Sequence, residues 1–176
     1  MVNRAPNLDP EDFDIIDLPA KDERSLARRI ALQVLYEADS TRHPFAMVMA
    51  RHLDERQPNE RTRRYVVQLV EGVELSHERI DPIIHQLAPE FPLNQIAVVD
   101  RNILRIAVYE FAVSGITPVG VAIDEAVELA KLFGSDTTPG FVNGVLGALA
   151  DHPDEIAELR GSPPLKPDEK GKSETS

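Results

Sequence analysis

The stretch from Val98 to Val113, VVDRNILRIAVYEFAV, leaves this chain little choice of fold. At about 100° per residue its apolar side chains form no single stripe. Leu104, Ala107 and Phe111 fall on one side, Val99, Ile103 and Ile106 on the next, and Val98 and Tyr109 opposite. A helix apolar on most sides must be covered on most sides, so the spacing predicts a central helix wrapped by amphipathic ones. Its 16 residues include Asp100, Arg101, Arg105 and Glu110. They are too short and too charged to span a membrane, which takes about 20 apolar residues. Glu110 is expected to be buried and bonded to Arg105 or Asn143, because an unpaired buried carboxylate is costly.

The flanking segments supply the covering layers. A first helix is predicted from about Arg24 to Asp39, with Leu26, Ile30, Ala31, Val34, Leu35 and Ala38 as its apolar stripe. Ser25, Arg29, Gln33 and Tyr36 share another face, with Arg24 and Arg28 alongside. Three arginines at the positive end of a helix dipole suggest an anion there, either a ligand or Asp22 and Glu23 of the chain itself. His43-Pro44 opens a short second helix. Asn59 caps a third, whose Arg61, Arg63 and Arg64 read as solvated surface. A fourth piece runs from about His77 to Leu87, with Pro82 in its early turns. After the connection from Ala88 to Pro92 comes the central helix, ended by Ser114-Gly115. A sixth runs from about Val121 to Phe133, and a seventh from Pro139, after Thr138, to about Ala150. No stretch alternates with period two. The fold class is all-α, with about seven helices.

Both ends look different from the body. Residues 1–23 hold seven acids against two bases, a local −5, and read as an acidic flexible arm that solvates itself or folds back on a basic site. Residues 151–176 hold seven acids against four bases, a local −3, and their prolines read as a disordered tail. Of the total of −11, only −3 is left for residues 24–150, so the body is free to carry a basic face. The start of the chain holds no apolar run of signal-peptide length, which points to a cytoplasmic protein.

Catalysis has no evident carrier. Cysteine is absent, which excludes thiolate metal sites and cysteine nucleophiles. No phosphate loop, GxSxG elbow or HExxH pair is present. Asp124, Glu125 and Glu128 lack the Glu-x-x-His partners of a bundle metal site, so neither metal nor cofactor is expected. The segment from Asp136 to Gly147, DTTPGFVNGVLG, leaves two readings open. Either the helix start and Phe141 meet an anion and a stacked base, or Thr138 caps the helix and Phe141 packs in the core.

Four blocks, ARRIALQVLY from Ala27 to Tyr36, VDRNILRIAVYE from Val99 to Glu110, VAIDEAVELAK from Val121 to Lys131 and FVNGVL from Phe141 to Leu146, closely resemble the NusB family of transcription antitermination factors. The blocks keep the family's order and spacing over roughly residues 24–150. The resemblance implies an all-helical fold of two packed subdomains, about Arg24 to Leu87 and Pro92 to Ala150, with no enzymatic activity. It implies binding of single-stranded boxA RNA in ribosomal RNA leader transcripts. The partner it implies is the small-subunit ribosomal protein acting as NusE, within the RNA polymerase antitermination complex. By position, the family's RNA-binding residues fall on Arg24, Arg28, Arg29, Gln33, Tyr36, Asp100 and Phe141. A homodimer, a protein-only adaptor and an RNA-guiding module of a ribosomal RNA methyltransferase stay open as alternatives.

Overall fold

Asp22 opens the first helix by accepting a hydrogen bond from the Ser25 amide at 2.8 Å. The computed structural model describes residues 19–161 except Pro92. The arm before Pro19 and the chain after Gly161 lie outside the described residues. Among the described residues the regular elements are all helical: α1 (Glu23–Thr41), α2 (Phe45–Arg56), α3 (Glu60–Leu87), α4 (Val98–Val108), α5 (Val119–Phe133), α6 (Thr138–Ala150) and α7 (Pro153–Gly161). A 3-10 turn spans Leu93–Gln95, and α4 runs directly into a π-helical turn at Tyr109–Val113. None of these helices is long and apolar enough to cross a membrane.

α1 packs on α2, α3 and α4, while α5 lies between α4 and α6. The core runs through Ile30, Val34, Leu69, Ile80, Ile103, Ile106 and Leu146. The all-round burial predicted for the central helix holds along α4, where residues 102–108 are all buried. α1 was expected to be an amphipathic outer layer and is not one. Nine consecutive residues, Ala27–Leu35, are buried, including Arg28, Arg29 and Gln33. Two helices therefore share the interior, one of them carrying buried polar groups.

Two further expectations are corrected. The third and fourth predicted helices are one, α3, with Pro82 inside it. Interior proline costs about 3 kcal/mol. Val66, Leu69, Val70 and Val73 before it and Ile80 and Ile84 around it bury into the same core, which offsets that cost. The tail expected to be disordered from residue 151 begins with α7. Pro153 is its first residue, where a missing N–H is not needed. Leu159 is buried, and Arg79 donates to its carbonyl at 2.9 Å. Arg160 donates to the carbonyls of Phe111 at 2.7 Å and Ala112 at 3.3 Å, capping the π turn from outside.

The helix layers are joined by a buried carboxylate. Glu110 is 1% exposed, as the sequence leads one to expect. Its partners are neither Arg105 nor Asn143. Arg28 of α1 binds both carboxylate oxygens, each at 2.8 Å. Tyr65 of α3 donates to it at 2.6 Å, and Thr117, just before α5, also at 2.6 Å. Burial opposes the charge on Arg28, yet the bonds and charge of Glu110 outweigh it and raise the guanidinium pKa. Burial and the adjacent Glu110 charge push the Tyr65 hydroxyl up to about 12. Arg105 instead pairs with Asp81 of α3 at 2.7 Å and Asp39 of α1 at 3.0 Å.

Replacing Arg28 with alanine would leave Glu110 charged in the interior with only two hydroxyls. Breaking such a pair costs about 3–5 kcal/mol, so a urea melt of Arg28→Ala should show that loss. The melting temperature should fall on the order of 10 °C. Parent-like melting would mean that Arg28 is free to leave the core.

Candidate nucleic-acid interface

The residues singled out from the sequence separate into four environments. Arg28 and Gln33 are interior. Arg28 is 2% exposed and committed to Glu110. Gln33 is 3% exposed and accepts from Arg56 of α2 at 2.7 Å. The expectation that both lie on an open face is corrected by the packing of α3 and α2 against that side of α1. Tyr36, one turn beyond Gln33, is half-buried.

Arg29 lines a groove of about 470 Å³ formed by the start of α1, α5 and the first half of α6. Lys21, Ser25, Glu125 and Asn143 share its walls. Ser25 donates to Glu125 at 3.0 Å, and Arg28 reaches the same carboxylate at 3.6 Å. Of the groove's acids, Glu125 is met by Arg28 of α1 and Glu128 by Lys131 of α5. A mixed, polar groove of this kind favours hydrogen bonding over simple phosphate attraction.

Asp100 bonds to the first residue of α6, and Phe141 lies in the first turn of the same helix. Thr138 donates from its hydroxyl to Asp100 at 3.0 Å while accepting from the Ser135 amide at 2.9 Å. The threonine therefore ties the first turn of α4 to the first turn of α6. Phe141 is half-buried and meets Phe91 edge to face, with ring centroids 5.9 Å apart. The expectation that Thr138 caps the helix is corrected, since the cap position is Thr137 and carries no side-chain cap bond. The Phe141 ring packs partly against the core, and its partner Phe91 is 48% exposed. A Cβ built on Gly140 or Gly144 would meet nothing within 4 Å, so this side of α6 is open backbone. Phe91 lies in a stretch that reads only as a connection. Its one sequence signal is a large aromatic between two prolines.

Arg24 is exposed and lies over the Tyr65 ring at 5.0 Å. This places it beside the start of α3, where Arg61, Arg63 and Arg64 are exposed. Asn59 donates to Glu23 at 3.0 Å, joining the two helix starts. Among the described residues no group of three or more His, Asp or Glu side chains is placed to hold a metal ion.

The family model that matches this chain is the NusB family model, over residues 25–151. The chain belongs to the NusB family. It is 44% identical over 128 residues to the transcription antitermination protein NusB of Roseiflexus castenholzii, covering 72% of this chain and 90% of that one. Against the NusB of Streptomyces avermitilis it is 44% identical over 133 residues, 73% of this chain and 91% of the relative. The solved T. maritima NusB superposes with a TM-score of 0.70 at 30% identity, covering 80% of this chain and all of that one. A structure described as the antitermination factors NusB and NusE in complex with dsRNA contains a chain matching with a TM-score of 0.68 at 28% identity. That match covers 73% of this chain and 96% of the other. The NusB match ends at residue 151, so α7 lies beyond it.

The half-buried Asp100 carboxyl makes stability depend on pH. Burial pushes its carboxyl up, and the Thr138 hydrogen bond only partly counters this. A carboxyl with a raised folded pKa holds its proton more tightly when folded, so the fold gains from this group as pH falls. Asp100→Asn should therefore raise the melting temperature at neutral pH. The difference from the parent should shrink as pH drops through the raised carboxyl pKa. Melting curves at pH 7 and pH 4 check this, and a difference that grows toward low pH would contradict it.

Proposed function

We propose that this chain binds single-stranded, boxA-type RNA of ribosomal RNA leader transcripts, together with the small-subunit ribosomal protein acting as NusE, within the RNA polymerase antitermination complex. The observation that carries the reading is the half-exposed Phe91–Phe141 pair at the first turn of α6, in a chain of the NusB family. Every base has a π face to stack on such a pair. The Asp100 carboxylate, bonded to the first residue of the same helix, accepts from the amino group of cytosine or guanine. Arg24 and Arg29 meet phosphate, and Tyr36 and Asn143 supply further polar contact. Arg28 and Gln33 act from inside, by holding α1 in place. The solved relative seen with NusE and dsRNA supports the same pairing of partners.

A protein-only adaptor is the second reading, favoured by Val119 and Val121, which are exposed together at the start of α5. Titration of the purified chain with a boxA-type oligonucleotide, with and without the ribosomal protein, separates the two. RNA binding tightened by the protein supports the proposal. Protein binding with no RNA affinity at low salt supports the adaptor.

Two outcomes follow for the RNA titration. With about three phosphates neutralised, log affinity should fall against log salt with a slope near −2, because single strands give about −0.7 per contact. Phe91→Ala should weaken binding by roughly 5- to 150-fold, the equivalent of about 1–3 kcal/mol for a lost stacking plate. Its melting should be unchanged, since the ring is half in solvent. A salt-independent affinity, or full affinity in the alanine variant, would refute the corresponding contact.

A further inference from the structure

Arg61 and Arg63 are exposed and form no ion pair among the described residues. Arg64 pairs only with the exposed Glu60 of its own helix at 3.6 Å, and Arg24 lies on Tyr65 next to them. The acids at these helix starts are Asp22, which caps α1, Glu23, held by Asn59, and Glu60. Four arginines thus face three acids at the joined starts of α1 and α3. The chain enters the described fold at Pro19, four residues before α1, with Lys21 turned toward Glu125 of α5. The 18 residues before Pro19 carry Asp9, Glu11, Asp12, Asp14 and Asp17 against a single base, Arg4.

We propose that residues 1–18 dock in cis on the Arg24–Arg61–Arg63–Arg64 patch and compete there with RNA. The competition rests on the RNA-binding reading above; the docking does not. Reach is no obstacle, because 18 residues extend to about 60 Å. Tethering supplies an effective concentration on the order of millimolar, so weak, salt-screened charge pairs suffice to populate the contact. The arm therefore acts as a built-in polyanion, released when an RNA with more phosphates arrives.

The test uses the full chain and a variant with Asp9→Asn, Glu11→Gln, Asp12→Asn, Asp14→Asn and Asp17→Asn, leaving the capping Asp22 untouched. The first readout needs no RNA: the amide resonances of Arg24 and of residues 61–64 are compared at about 20 mM and about 300 mM salt, where screening lengths differ severalfold. Docking predicts that the two proteins differ at low salt and converge at high salt, and that Arg61→Ala with Arg64→Ala abolishes the difference. The second readout is affinity for a boxA-type oligonucleotide. It should rise by roughly two- to tenfold in the neutralised arm at low salt only. Identical amide resonances at low salt would overturn docking, whatever the RNA does. Amides that move while RNA affinity stays fixed would overturn competition alone. If neither protein binds RNA, the competition falls together with the proposed function, and the amide shifts decide docking by themselves.

Discussion

A carboxylate in the interior of a helical protein must be paired or it destabilises the fold, and here that carboxylate is Glu110. It sits in the π turn that follows α4 and takes bonds from α1, α3 and the segment leading into α5. The cost of desolvating it is offset only when all these elements are in place. The wide turn brings a second contact: the Tyr109 ring covers Gly72 of α3 so closely that any added Cβ would lie 2.2 Å from it. Arg160 of α7 then caps the carbonyls the turn leaves open. The junction of α1, α3 and α4 is therefore specified by polar geometry as well as by apolar burial.

That junction divides the arginines of the chain. Arg28 and Arg105 are spent on carboxylates inside the fold, at Glu110 and at Asp39 and Asp81. Arg24, Arg61, Arg63 and Arg64 remain outside, gathered where two helix starts meet. The net charge of −11 hides this arrangement, because the excess of acids lies mostly in the two ends. A predominantly acidic chain can thus present a local cationic surface.

Periodicity in the sequence reaches the all-α class, most helix positions and the burial of Glu110, since each follows from local spacing and the cost of a buried charge. It fails where a residue's surroundings are set by distant segments. Arg28 sits one turn from exposed Arg24 and reads as surface, yet α3 and the π turn close over it. Pro82 reads as lying in the early turns of a separate helix and Pro153 as part of a disordered tail, and both sit inside helices because tertiary burial or a first-turn position absorbs them. Phe91 belongs to no periodic segment, so only the approach of α6 reveals it as the partner of Phe141.

Arg28 is buried against Glu110, so in the proposed RNA complex it supports the interface from within without touching the ligand. A double variant, Arg28→Met with Glu110→Leu, replaces the buried pair by apolar side chains of similar size, an exchange that is often neutral or stabilising. Tyr65 and Thr117, whose hydroxyl oxygens lie 3.3 Å apart, can then bond each other. The decisive measurement is the affinity of this folded double variant for a boxA-type oligonucleotide. Affinity within about threefold of the parent is the predicted result. A loss of roughly tenfold or more, worth about 1.4 kcal/mol, with melting intact would show that the Arg28 guanidinium itself meets the RNA.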